Sequence, residues 1–420
     1  MKIAVVGGGS TYTPELVSGI AGQRERLPVD ELALMDIDEV RRDVVGGLAE
    51  RMLRKQDWDG RLTVTDSSDE ALDGADAVLL QLRVGGQHAR LHDETAPLAC
   101  GCIGQETTGA GGFAKAMRTV PVVLDIAERV RKRAAPDAWI IDFTNPVGIV
   151  TRALLEDGHR AVGLCNVAIG LQRSIAKLLG TEPSRVALEQ VGLNHLTWVR
   201  AVRVDGRDVL PDLLRLHAAA LAAQLQLPEA LLHELGALPS YYLRYFYAHA
   251  QVFREQQTEE PRAAAVARIE AELLQMYRDP ALTEKPALLE QRGGAFYSEA
   301  AVDLLTSLVT GSGDVQVVDV RNDGALAGLA DDDVVEVPAR IDRDGAHPFA
   351  QLPLDPVMLG LVQHVAAYER LSVKAARSRA PSDVRRALLA HPLVGQWDMA
   401  VSLPELLGVE LLGATPEPGS

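Results

Sequence analysis

Three cysteines in 420 residues leave no paired framework of the kind that staples a small secreted fold. No apolar run reaches the roughly eighteen residues that a membrane-spanning helix needs. The N-terminus passes from Lys2 through four apolar residues straight into Gly7-Gly8-Gly9, without a signal-peptide core. A reducing cytoplasm is therefore the expected setting, with no membrane partner. Aromatic residues are scarce at 4%, and no lysine- or arginine-rich run interrupts a chain in which 42 basic residues face 58 acidic ones, for a net charge of −16. That balance disfavours a phosphate-backbone partner, so no nucleic acid is expected, and an anionic substrate has to be held by locally placed arginines. Internal repeats and low-complexity linkers are missing as well. What remains is 47% hydrophobic and 24% charged, the make-up of a soluble globular chain with room for two domains.

The first apolar run, residues 2–6, is followed by Gly7-Gly8-Gly9-Ser10-Thr11-Tyr12-Thr13-Pro14, which reads as strand, glycine turn and helix start. Such a turn brings backbone N–H groups and the positive end of a helix to a pyrophosphate, making Gly7, Gly9, Ser10 and Thr11 candidate cofactor-binding residues. The dinucleotide fingerprint matches only as Gly-x-Gly, since Tyr12 stands at the third glycine, and a tight turn with no ligand fits the same letters. A second strand at 32–35 ends in Asp36, whose carboxylate suits an adenosine ribose and repels a 2′-phosphate, favouring NAD over NADP. Further apolar runs at 62–65, 77–84, 139–143 and 161–164 alternate with helix-like segments. This is the pattern of a doubly wound, Rossmann-like parallel α/β sheet. Beyond Asn166 the pattern changes to a hairpin at 196–204 closed by Asp205-Gly206, a long helical stretch to about 312, strands at 315–320 and 333–337, and a helical end, with residues 414–420 expected to fray. We expect a cofactor-binding domain over 1–165 and a second, mainly helical α+β domain over 166–420 for metal, substrate and oligomer contacts.

The strand ends carry the unusual residues. Arg83-Val84-Gly85-Gly86, then Arg90 and Asp93-Glu94, follow the run that begins at residue 77; Thr144-Asn145-Pro146 and Cys165-Asn166 follow the next two. Ligands of open α/β sheets bind in the crevice at the carboxyl ends of the strands, so Arg83, Asn145, Cys165 and Asn166 converge there. Gly192-Leu193-Asn194-His195 reads as a turn delivering an imidazole, and a thiolate with an imidazole is a ligand pair for a divalent first-row metal. Taken alone, Cys165 is more often a small buried hydrophobe and His195 a satisfied core residue. The cluster Ser240-Tyr241-Tyr242-Leu243-Arg244-Tyr245-Phe246-Tyr247 suits a packed helix face, although helical spacing turns Tyr242 and Tyr245 to one side. Arg292-Gly293-Gly294 sets an arginine beside glycines before another helix.

Together these stretches, with the 103–123 segment, resemble the NAD- and manganese-dependent glycosidases of glycoside hydrolase family four, in the branch acting on 6-phospho-β-glucosides. The resemblance covers nearly the whole chain. It implies that Cys165 and His195 bind Mn²⁺, that Asn145 and Asn166 contact the sugar, and that Arg83 and Arg292 bind the phosphosugar. It also implies a tyrosine base, Tyr242, with the doubled Tyr241-Tyr242 keeping Tyr241 as the alternative. The implied substrate is a phosphorylated disaccharide or aryl glucoside, hydrolysed by NAD-mediated oxidation at C3, deprotonation at C2 and elimination, and a homodimer or homotetramer is expected. Ala168 replaces a proline usual in the family. Members acting on α-glycosides tend to carry Asp after the cysteine, so Asn166 favours the β branch. Three alternatives stay open: a lactate- or malate-type dehydrogenase, which shares the Rossmann half and the Asn-Pro-Val turn; a dinucleotide-sensing protein; and a family member acting on other or unphosphorylated glycosides.

Overall fold

The computed structural model describes residues 1–293 and 296–412. Gly294 of the arginine–glycine turn and the expected fraying of 414–420 lie outside the described residues. Thirteen strands form one sheet: β1 (Lys2–Val6), β2 (Glu31–Met35), β3 (Arg61–Thr65), β4 (Ala77–Leu80), β5 (Trp139–Asp142), β6 (Ala161–Gly163), β7 (Val186–Leu193), β8 (Leu196–Val204), β9 (Arg207–Asp208), β10 (Leu238–Pro239), β11 (Val315–Arg321), β12 (Val334–Asp342) and β13 (Gly345–Pro348). β3-β2-β1-β4-β5-β6 are parallel and in the order of a dinucleotide-binding sheet. The apolar runs of the inner strands are continuous because helices cover both faces; β4 is buried along its whole length and β1 at four of five residues, whereas β3, at the edge, buries only Thr65. The order reverses between β1 and β4, which opens a crevice at their carboxyl ends.

The antiparallel part does not build a second sheet. β11 pairs β6 through Asp319 and Gly163, and the sheet continues through β12, β7, β8 and β10. Residues after 166 therefore extend the nucleotide sheet, so that β6, β7 and β11 meet behind its carboxyl edge. The strands anticipated at 196–204, 315–320 and 333–337 are present, as are the closing helices Pro356–Ser378, Pro381–Leu389 and Trp397–Leu406. β7 was not foreseeable from alternation, because its register shifts between Leu188 and Gln190 and the irregularity breaks the period of two. Among the described residues no helix is long and apolar enough to cross a membrane.

Candidate active site

At the reversal point a cleft of about 530 Å³ is floored by Gly7, Gly9 and Ser10. Gly7 has φ +91°, and a Cβ there would sit 2.8 Å from the Gln81 carbonyl oxygen, so the turn requires glycine. Asp36 closes the far wall. Its Oδ2 accepts the Gly9 N–H at 2.8 Å and its Oδ1 the Asp38 N–H at 3.0 Å, fixing the carboxylate while leaving lone pairs for a ribose hydroxyl. A methyl group on Gly9 would meet Asp36 Oδ2 at 2.7 Å. Gly9→Ala is therefore expected to weaken NAD⁺ binding about tenfold or more, roughly 1.4 kcal/mol, as read by quenching of protein fluorescence; unchanged affinity would remove this wall from the cofactor site. Thr11 does not line the cleft: it is buried, and its carbonyl accepts the Tyr277 hydroxyl at 2.7 Å. Tyr12 does line it, edge-on to Tyr297 with 6.1 Å between centroids and 5.8 Å from the Arg292 guanidinium.

The inner end is cationic. Glu106 joins Arg83, Lys115 (2.6 Å) and Arg90 (3.1 Å), while Arg90 also reaches Glu94 at 2.8 Å. Burial opposes ionisation of Glu106, but Arg83, Lys115 and Arg90 together hold it well below the usual carboxylate range. Burial also draws Lys115 down to about 8, against the pull of Glu106. Across the cleft Glu270 holds Arg292 at 3.0 Å and Arg41 at 2.6 Å, and accepts Gln87 at 3.0 Å. Five cations thus share four carboxylates, Asp38 lying 3.9 Å from Arg41 as well, a local positive excess in a chain of net −16. Asp93 takes no part, being tied to Arg118. The helix Gly109–Arg133 sets Lys115 in place by close approach: a Cβ on Gly111 would lie 2.3 Å from the Asp93 carbonyl oxygen.

Beside this cleft lies a pocket of soft and aromatic donors. β7 and β8 are joined by a two-residue turn, Asn194-His195, with His195 in the left-handed region at φ +61°. The His195 imidazole lies flat on the Tyr242 ring, 3.7 Å between centroids, and burial drives its pKa down to about 3, so it is neutral and free to ligate. Cys165, at the end of β6, is buried, and burial followed by Glu336 and Asp319 pushes its thiol well above the ordinary value. Two donors aim at its sulfur, the Val167 N–H and the Asn194 side chain, whose Nδ2 also reaches Glu336 at 2.9 Å and Asp319 at 3.2 Å. Cys165 and Tyr242 both act electrostatically on Tyr297, which lines the cleft and so joins the pocket to it. Asn145 lines the cleft with its Oδ1 buried and unpartnered, held out by a loop in which Thr144 accepts the Leu82 N–H at 3.1 Å and donates its own N–H to Asp142 at 2.8 Å. Asn166 follows Cys165 at the start of the helix Val167–Leu179. Tyr241 turns elsewhere, its hydroxyl accepting from Arg244 at 3.0 Å.

Neutral imidazole and a thiol already supplied with N–H donors fit a divalent first-row cation. Among the described residues no third His, Cys, Asp or Glu joins them, so coordination positions are left for oxygens of a substrate. Gly7, Gly9 and Asp36 likewise fit a dinucleotide. Glu106, Lys115, Glu270, Arg41, Asn194 and Tyr297 went unread from the chain: Glu106, Lys115 and Asn194 sit inside stretches that drew notice, whereas Glu270 lies mid-helix, where a charge reads as a solvated face.

A dinucleotide sheet whose crevice adjoins a thiol, an imidazole and a phenol defines a nucleotide-dependent α/β enzyme. Family 4 glycosyl hydrolases match over residues 2–181 and the C-terminal domain of that family over residues 190–394; the chain belongs to the family 4 glycosyl hydrolases. It is 36% identical to a 6-phospho-beta-glucosidase of Thermotoga maritima over 99% of both chains, and 35% identical to a 6-phospho-beta-glucosidase of Escherichia coli over 94% of this chain and 91% of that one. The Thermotoga enzyme solved with manganese, NAD⁺ and glucose-6-phosphate superposes with a TM-score of 0.90 over 97% of each chain at 35% identity.

Proposed function

We propose that this protein hydrolyses 6-phospho-β-glucosides to glucose 6-phosphate and the aglycone, with NAD and a divalent metal, Mn²⁺ by preference, as cofactors. The observation that carries the reading is the seating of Cys165, His195 and Tyr242 against a dinucleotide cleft whose inner end carries excess positive charge. Bound NAD⁺ would supply the acceptor for the C3 hydride and later return it, and a bound cation would supply charge that stabilises the anion left when the C2 proton is taken; the aglycone then leaves C1 by elimination, and water adds across C1 and C2 before the hydride returns. In this reading Gly7, Gly9, Ser10 and Asp36 seat the cofactor, and Cys165 and His195 hold the cation. The buried, unpartnered Oδ1 of Asn145 and the side chain of Asn166 orient the sugar hydroxyls, Arg83 and Arg292 face the phosphate, and Tyr242 takes the proton from C2. Asn166, an amide in place of a proton-donating carboxyl beside the cysteine, favours β over α substrates. The division at 165/166 then sets a half that seats the cofactor and also supplies Arg83, Asn145 and Cys165 apart from a half that supplies Asn166, His195, Tyr242 and Arg292. All three cysteines are free, in keeping with a cytoplasmic enzyme. Phe349, Leu352 and Val357, exposed within one stretch, support association into a homodimer or homotetramer, which light scattering reads directly.

The test is release of p-nitrophenol from its 6-phospho-β-glucoside, expected to require both NAD⁺ and Mn²⁺; cleavage without either, or NADH accumulating with lactate or malate, would overturn the reading. For the phosphate, removal of a charged hydrogen-bond donor costs about 1.5–3 kcal/mol, roughly ten- to a hundredfold in affinity. Arg292→Met is expected to raise KM for the phosphorylated glucoside by that factor and to leave an unphosphorylated one little changed. Equal effects on both, or a matching loss of NAD⁺ affinity, would assign Arg292 to the cofactor or the fold.

A further inference from the structure

Behind the His195–Tyr242 stack lies an internal cavity of about 20 Å³, bounded by Asn194, His195, Thr108 and Glu369 among others. A space of that size holds one water molecule, provided it offers two or more polar partners. Glu369 projects from the helix Pro356–Ser378 and is only 5% exposed, yet its Oε2 is buried with no hydrogen-bond partner. Its other oxygen abuts Gly148, where even a Cβ would come within 2.7 Å. Burial, with only partial relief from Arg152, pushes the carboxyl up to about 8, so at neutral pH it carries a proton to donate. Across the cavity the His195 ring makes no hydrogen bond among the described residues, its one aromatic contact being with Tyr242. Buried polar atoms without partners are costly and rare, and a histidine that ligates a metal nearly always uses its second nitrogen to bind an orienting group. His391, which also lines the cavity, has one ring nitrogen 2.9 Å from the Gly109 N and the other 3.0 Å from the Leu393 N, so neither nitrogen is turned to His195 and it is not that group.

We propose that this cavity holds one ordered water that joins the Glu369 carboxyl to the His195 imidazole, making Glu369 a positioning residue for that histidine. The hydroxyl of Tyr368, which also lines the cavity and is buried without a partner, offers the water a third contact. The water bridge stands on the geometry alone; the effect on metal binding rests on His195 being a metal ligand, as proposed above. Glu369 does not line the cofactor cleft, so its influence passes through the orientation of one ring.

Two measurements on the full-length protein test this. A high-resolution crystal structure of the unmutated chain with NAD⁺ and Mn²⁺ is expected to show a water within hydrogen-bond distance of both Glu369 and His195. A dry cavity, or a water touching only one of them, overturns the proposal whatever reaction the enzyme catalyses. Glu369→Leu, of similar volume and unable to hold the water, is expected to weaken Mn²⁺ binding roughly ten- to a hundredfold, as read by the electron paramagnetic resonance of free Mn²⁺. NAD⁺ affinity and melting temperature should hold, and Glu369→Gln, which keeps hydrogen-bonding atoms, should restore most of the Mn²⁺ affinity. Undiminished Mn²⁺ affinity in Glu369→Leu, or parallel loss of NAD⁺ and Mn²⁺ binding, overturns the positioning role. If Glu369→Leu does not fold, the crystal structure decides alone. Loss of glycosidase activity in the unmutated enzyme, with the water present and the Mn²⁺ effects as described, would count against the proposed substrate and leave Glu369 in this role.

Discussion

Tyr242→Phe is expected to lower turnover by about 10²–10⁴-fold, the range of a positioned general base, while NAD⁺ and Mn²⁺ affinities stay close to those of the unmutated enzyme. The ring is retained, and with it the 3.7 Å stack on His195 that holds the imidazole, so only the phenolic oxygen is lost. Burial, then Cys165 and Tyr245, push that phenol well above its ordinary value, with Arg90 pulling the other way. A phenol so placed ionises, and as the phenolate can take a proton, only when positive charge is brought beside it, so the base should be competent in the metal-loaded enzyme and idle without metal. Tyr241→Phe is the control. Its hydroxyl already accepts from Arg244, which is ion-paired to Glu255, and its loss should change turnover little. The proton at C2 gives the direct readout: glucose 6-phosphate released in D₂O should carry deuterium at C2, and substrate deuterated at C2 or C3 should turn over more slowly although neither carbon changes in the net reaction. If Tyr241→Phe, and not Tyr242→Phe, abolishes exchange, the base is the neighbouring tyrosine; if both isotope effects are absent with chemistry limiting, elimination is not the route.

Most of the nucleotide half could be read from the chain because parallel strands buried on both faces leave a local signature. The runs that become β1, β2, β4, β5 and β6 are short, apolar and punctuated by the residues that turn toward the crevice. The glycine turn was legible for the same reason: Gly7 has a positive φ, and Gly9 leaves no room for a Cβ before Asp36. The pocket was legible only as scattered motifs. Cys165 and His195 are thirty residues apart, and what brings them together is the pairing of β6 with β11, β11 with β12 and β12 with β7, contacts between strands far apart in sequence. No local pattern encodes that register. Glu270 and Glu369 illustrate the limit most plainly. Each is a charged letter in a regular helix, indistinguishable in sequence from a solvated glutamate, and becomes meaningful only when the helix turns it inward to Arg41 and Arg292 in one case and to a cavity beside His195 in the other.

Mn²⁺ affinity is expected to rise about tenfold per pH unit through the neutral range, the slope set by release of one proton on binding, and Cys165→Ser should lose more than the ~100-fold associated with outer-shell changes. The sign follows from the free and bound forms of Cys165. In the protein without metal, burial, then Glu336 and Asp319, hold the thiol protonated well above neutrality, whereas only the thiolate ligates; binding therefore expels a proton and is favoured as pH rises. His195 contributes nothing to this slope, since burial has brought it down to about 3 and it is neutral throughout. Below pH 7 the dependence should steepen, because Glu336, drawn up to about 7 by burial, then loses the negative charge that attracts the cation. The measurement is Mn²⁺ binding by electron paramagnetic resonance at pH 6.5, 7.5 and 8.5, with NAD⁺ affinity followed in parallel as a check on folding. Cys165→Ser should lose the tight binding and the slope above pH 7, because a serine hydroxyl stays protonated in either state, and keep only the weaker dependence that Glu336 adds below it. An unmutated enzyme whose Mn²⁺ affinity is flat with pH would mean that the sulfur does not bind as a thiolate, and full Mn²⁺ affinity in Cys165→Ser would remove it from the metal site altogether.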